Sequence, residues 1–226
     1  MPTDLWSQFD AAPLALTLRV AGVATLLALL LGVALGWVFA RTRLPGRGLL
    51  EAVCMLPLVL PPTVLGYGIL VLTGRRSALG HWLREHFDYT LIFNWHGAVV
   101  ASTLVALPLV LKGASSAFAQ VDRNLEAAAR TLRQSPWSAF LRVTLPLAWP
   151  GILAGTLLAF ARAMGEFGAS LMVAGSIPGQ TQTASMAIYD AVQAGRDDIA
   201  LLLALVVSAV SVAVLVLSNR FLQRSS

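Results

Sequence analysis

Residues 20–40 read VAGVATLLALLLGVALGWVFA, twenty-one consecutive positions without a charge. Wound as an α-helix, such a run is about 30 Å long, the thickness of a bilayer's hydrocarbon core. Four more apolar stretches follow, and the expected spans are about 13–40, 50–74, 95–118, 146–174 and 198–220. Arg19 falls inside the first and reaches the interface by snorkelling. Only 12% of the residues are charged while 57% are hydrophobic, too little polar surface to cover a soluble domain of this size. The expected fold class is therefore all-α: a polytopic membrane protein of five transmembrane helices, one membrane domain over 1–226.

Five spans put the termini on opposite sides, and the arginines choose which. Arg41, Arg43, Arg47, Arg123, Arg130, Arg133, Arg142, Arg220 and Arg224 all fall on one face. Arg75, Arg76, Arg84 and Arg196 fall on the other, partly offset by Glu85, Asp88, Asp197 and Asp198. The positive-inside bias then places the N-terminus outside and the C-terminus in the cytoplasm. Arginines that cluster between spans read as topological charge, so nucleic acid is not an expected partner. The N-terminal MPTDLWSQFD has no basic residue and does not read as a cleaved signal peptide. Cys54 is the one cysteine, and His81, His86 and His96 are spread through different contexts, so neither a disulfide nor a metal site is expected.

Pro57, Pro61 and Pro62 interrupt the second span, which should bend or break there. Outside, the charged and aromatic loop 73–94 suits a short interfacial helix, and the apolar spacing over 183–194 suits another. The polar stretch 119–145 is the expected cytoplasmic loop. Within it, Leu125, Ala128, Ala129 and Leu132 form the stripe of an amphipathic helix over 123–133. Ser135 then suits an N-cap and Pro136 the first position of a second helix, which puts Trp137, Phe140 and Leu141 on one face. By pattern alone this hairpin either rests on anionic lipid or docks a cytoplasmic partner.

The stretch EAAARTLRQSPWSAFLRVTLP (126–146) resembles the EAA loop of type I ABC importer permeases. That pattern runs Glu-Ala-Ala, three residues, Gly, nine residues, Ile, one residue, Leu-Pro. Val143, Leu145 and Pro146 match its end, and its alanines fall on Ala128 and Ala129. Two positions depart: Ala127 stands where the glutamate would be, with Glu126 one place early, and Arg133 stands at the glycine. A left-handed turn at Arg133 would cost about 1 kcal/mol or more. Either the turn is built differently or a docked partner absorbs the strain. LPLVLPPTVLGYGILVL (56–72) and ARAMGEFGASLMVAGSIPGQTQT (161–183) look like the molybdate branch of that family. Sulfate/thiosulfate permeases are close relatives, and tungstate is a further alternative cargo.

The resemblance implies a bacterial inner-membrane permease subunit and no cofactor. Two copies would form one pathway, a dimer of cytoplasmic ATPases would dock on the loop, and an extracytoplasmic oxyanion-binding protein would deliver the anion. It assigns ATPase coupling to Leu125, Glu126, Ala127, Ala128, Ala129, Leu132 and Arg133, with Glu126, Arg130 and Arg133 at the rim of the contact. Independently, the chain has no G-x-x-x-x-G-K-[ST] phosphate loop, so it does not hydrolyse ATP alone.

Candidate pathway or gate residues are Pro61, Pro62, Gly66, Arg162, Glu166 and Gly168. The prolines and Gly66 either kink a packing helix or let a pathway helix move. Arg162 and Glu166, four apart, share a helix face and form either a structural ion pair or part of a gate. Glu166 alone would repel an anion and is not read as a ligand, while Gly165 and Gly168 permit close helix approach. The rival classes are an intramembrane enzyme, which lacks a nucleophile with a paired base, and a passive anion channel, which needs no docking loop.

Overall fold

The computed structural model describes residues 10–42 and 45–224. Helix α1 is Ala12–Arg41, α2 Arg47–Val59, α3 Pro62–Thr73, α4 Ala78–Phe87, α5 Trp95–Gln120 and α6 Arg123–Thr131. A one-turn helix α7, Pro136–Ala139, runs through a π-helical turn, Phe140–Thr144, into α8, Leu145–Met164. Then come α9 Gly168–Ala174, α10 Ala184–Gln193 and α11 Asp197–Arg224. No strand occurs among the described residues. Four helices are long and apolar enough to cross a membrane, α8 being taken together with the turns before it. The pair α2–α3, bent by 112°, makes a fifth span if counted as one. The protein is all-α and polytopic.

Helix α5 is the centre. It lies between α1 and α8 and contributes more buried apolar residues than any other described helix, with Ala98, Ala106, Val110, Ala114 and Phe118 all inaccessible. Lipid tails are as apolar as leucine, so close backbone packing rather than water exclusion must hold these helices together. Small residues supply it. A Cβ on Gly36 of α1 would stand 2.8 Å from the Cβ of Ala114, and one on Gly155 of α8 would stand 3.0 Å from the Leu109 carbonyl oxygen. Arg19, within α1, lies with its guanidinium 4.1 Å above the Trp95 ring at the start of α5, where a cation–π contact offsets its desolvation.

The break in the second stretch falls at Leu60–Pro61, both in extended conformation, with Pro62 opening α3. None of the residues of α2 is buried, whereas α3 packs on α9. The stretch 146–174, expected as one span, is instead two helices. Helix α8 stops at Met164, the chain turns through Gly165–Phe167, and α9 packs against α3 and α5. The break falls at Gly165–Glu166, inside the stretch that Arg162 and Glu166 already interrupt in the sequence. The Asp190 carboxylate ties the following loop by accepting from Ser176 Oγ (2.5 Å) and Gln182 Nε2 (2.7 Å). The Ala184 amide at the start of α10 donates to buried Thr17 Oγ1 of α1 (2.8 Å).

Candidate functional site

The chain leaves α5 through Asp122, whose carboxylate accepts the Asn124 amide (2.9 Å) and caps α6. Helix α6 covers 123–131 of the expected 123–133, and Leu132 is its C-cap. Arg133 follows with φ +59°, a left-handed residue where the family pattern has glycine. The turn is therefore built with arginine, and the hydrogen bonds explain how. Arg133 N–H donates to Arg130 O (3.0 Å) and Gln134 N–H to Ala129 O (3.2 Å), the two bonds of a Schellman cap. They satisfy terminal carbonyls and offset a backbone cost of about 1–2 kcal/mol. Ser135 Oγ then accepts the Ser138 amide (3.1 Å), and Pro136 opens α7.

Several apolar side chains of this hairpin are uncovered. Leu132 is 77% exposed, Trp137 69% and Leu125 47%; Ala127 and Ala128 are exposed and Ala129 half-buried. Glu126 is tied to other elements. Its Oε1 accepts from Arg41 Nη2 (2.6 Å) at the end of α1 and from Thr144 Oγ1 (2.7 Å) in the π-helical turn. Arg41 is 10% exposed at its side chain, and Thr144 is buried. Arg41 Nη2 also reaches the Val121 carbonyl oxygen (3.4 Å). One carboxylate oxygen thus joins α1, α6 and the start of α8. Trp37 of α1 meets Phe140 edge-on at 5.8 Å beside it, and Trp137 stacks on Phe140 at 5.5 Å. The sequence singles out neither Arg41 nor Thr144 as part of this site. Arg41 reads there only as topological charge, and nothing local announces a partner 85 positions away.

The candidates at the other end also come together. A Cβ on Gly168 would stand 2.9 Å from the Cβ of Pro62, and one on Gly66 would stand 2.6 Å from the Cβ of Met172. The broken second stretch and α9 therefore touch through Pro62, Gly66 and Gly168, with Pro61 adjoining at the bend. Glu166 sits in the turn before α9. Its Oε1 accepts the Ala169 amide (3.0 Å), and its Oε2 lies 3.0 Å from Arg162 Nη1 without hydrogen-bond alignment. The Glu166 side chain is 2% exposed and that of Arg162 35%. The pair fixes the turn from α8 into α9 and leaves part of one guanidinium accessible. Phe167 beside it packs on Tyr189 of α10, ring centroids 5.2 Å apart. Among the described residues no group of three or more His, Cys, Asp or Glu could hold a metal ion.

Residues 28–226 match the family described as "Binding-protein-dependent transport system inner membrane component". The chain is 45% identical over 178 residues to the molybdenum transport system permease protein ModB of Escherichia coli (strain K12), covering 79% of this chain and 78% of that protein. It is 43% identical over 189 residues to the ModB of Azotobacter vinelandii, 83% of each chain. Against the sulfate transport system permease protein CysW of Synechocystis sp. the identity is 36% over 212 residues, 94% of this chain and 76% of that one. Two solved structures share the fold at low identity. A bacterial ABC transporter importing alginate aligns with TM-score 0.79 at 14% identity, over 99% of this chain and 84% of that one. The inward-facing MetNI methionine ABC transporter aligns with TM-score 0.73 at 17% identity, over 95% and 94%. Over most of its length, then, this chain has the sequence and the helical architecture of an importer's membrane subunit, and it belongs to the binding-protein-dependent transport system inner membrane components.

Proposed function

We propose that the chain is the permease subunit of an ATP-driven molybdate importer. Two copies would form the pathway, a separate cytoplasmic ATPase dimer would hydrolyse ATP, and an extracytoplasmic binding protein would deliver the anion. The observation that supports this reading is the hairpin 123–144. It leaves Leu125, Ala128, Leu132 and Trp137 uncovered, while Glu126 ties it to α1 and to the turn that opens α8. A hairpin that merely rested on lipid would need no part-buried ion pair behind it. Helix α2, with no buried residue, is a surface a second copy would cover. The greater identity to molybdenum permeases than to the sulfate permease favours molybdate as cargo.

This reading requires the hairpin to be cytoplasmic, with α1 entering from outside. The test uses single cysteines in a chain whose Cys54 is replaced by serine. Asn124→Cys is expected to resist an impermeant maleimide in intact cells and react after lysis, whereas Gln180→Cys reacts in both. The same preparations, solubilised in mild detergent, are expected to retain the ATPase. Surface reaction at position 124 would reverse the orientation and remove the docking role.

A further inference from the structure

The tie at Glu126 joins three elements through one atom. Helix α6 bears uncovered apolar side chains, α1 ends at Arg41, and α8 begins just after Thr144. Resting on the function proposed above, we infer that Arg41, Glu126 and Thr144 form the joint through which displacement of the docked hairpin is passed to the membrane helices. Glu126 is then a positioning residue within the permease rather than a contact to the ATPase.

Four observations support this. Both hydrogen bonds on Glu126 Oε1 are short, at 2.6 and 2.7 Å, and one is charge-assisted, the stronger kind. Arg41 and Thr144 are largely or wholly shielded, whereas the Glu126 side chain is 29% exposed, so both donors are held in protein and water reaches only part of the carboxylate. Thr144 ends a π-helical turn, Phe140–Thr144, and such turns are local departures that helices keep mostly where function needs them. Last, Arg41 Nε is buried without a hydrogen-bond partner among the described residues. Buried donors are nearly always paired, so an orphan here marks an arrangement whose bonding is incomplete and which a small shift would complete differently. A joint that alternates between two bonding patterns transmits motion in discrete steps, as a packed bistable contact does.

The experiment uses the full complex of permease, ATPase and binding protein in proteoliposomes, with Thr144→Val and Arg41→Gln. Thr144→Val keeps the shape of a buried side chain and removes only its hydroxyl. Neither variant alters the uncovered side chains, so ATPase association is expected to match wild type. Transport per ATP hydrolysed is expected to fall about tenfold, within the range of coupling energies between sites. Arg41→Glu combined with Glu126→Arg restores the pair in reverse and is expected to recover part of the loss that either charge change causes alone. Wild-type transport per ATP in both Thr144→Val and Arg41→Gln would overturn the joint. So would a loss of association matching the loss of transport, which would move these residues to the ATPase interface. A wild-type chain that fails to bind the ATPase would instead overturn the function and the joint with it.

Discussion

Ala128→Trp is expected to yield a folded, membrane-inserted permease that no longer holds its ATPase. Ala128 is exposed on α6, between Leu125 and Leu132, and makes no hydrogen bond with its side chain. Replacing an exposed residue of this kind changes folding stability little, by about 0.5 kcal/mol or less. On a docked surface the same change is severe, because alanine lets a partner's backbone approach and an indole does not. Loss of a central contact of this kind is worth about 3 kcal/mol, roughly a hundredfold in affinity. Binding-protein-stimulated ATP hydrolysis should vanish with association. If the face lies on lipid, tryptophan is harmless or strengthens membrane contact. Pull-down of the ATPase and its stimulated activity, measured beside the yield of monodisperse permease, separate these cases. Unchanged association with unchanged stimulation leaves the hairpin as an interfacial element.

Removing Arg162 should be the most damaging single change at the break between α8 and α9. In Arg162→Ala the Glu166 carboxylate stays buried, keeping the Ala169 amide but losing the cation it pairs with among the described residues. Breaking a buried pair by removing one partner costs about 3–5 kcal/mol, and the partial exposure of Arg162 puts this case at the low end. Glu166→Ala should cost less, about 1–2 kcal/mol, because the freed arginine has a long stem and can turn its head to water. The double variant should lose less than the sum of the two. The ranking is read from thermal midpoints and folded yield of the three proteins. Additive losses, or a milder effect at Arg162 than at Glu166, would mean that the 3.0 Å approach contributes no coupling.

How far the sequence foretells this depends on the kind of feature. The spans are legible because a helix of about twenty uncharged, apolar residues matches the bilayer's thickness and suits little else. Helix α6 and the restart at Ser135–Pro136 are legible because apolar stripes and caps are local signals. Side-chain direction across the fold is not. Glu126 belongs to a polar loop and reads as a rim residue, yet its carboxylate turns inward to Arg41 and Thr144. Arg133 has two readings in the sequence, and the left-handed one holds because neighbouring carbonyls are satisfied by the turn itself. The end of α8 at Met164 is only half legible: Arg162, Gly165 and Glu166 mark the place, but two charges four apart fit one helix face as well as a break, and the packing of α9 on α3 is a tertiary feature. The meeting of Pro62 and Gly66 with Gly168 and Met172 of α9 likewise depends on residues about a hundred positions apart.

The most direct measurement is uptake of labelled molybdate into proteoliposomes holding the permease with its ATPase, binding protein on the outside. Uptake is expected to require ATP within the vesicle, to require the binding protein, and to withstand an excess of sulfate. Displacement by sulfate at equal concentration would reassign the cargo to the sulfate branch. Anion flux that proceeds without ATP, or without the ATPase subunit, would contradict an importer permease and make the chain a passive channel.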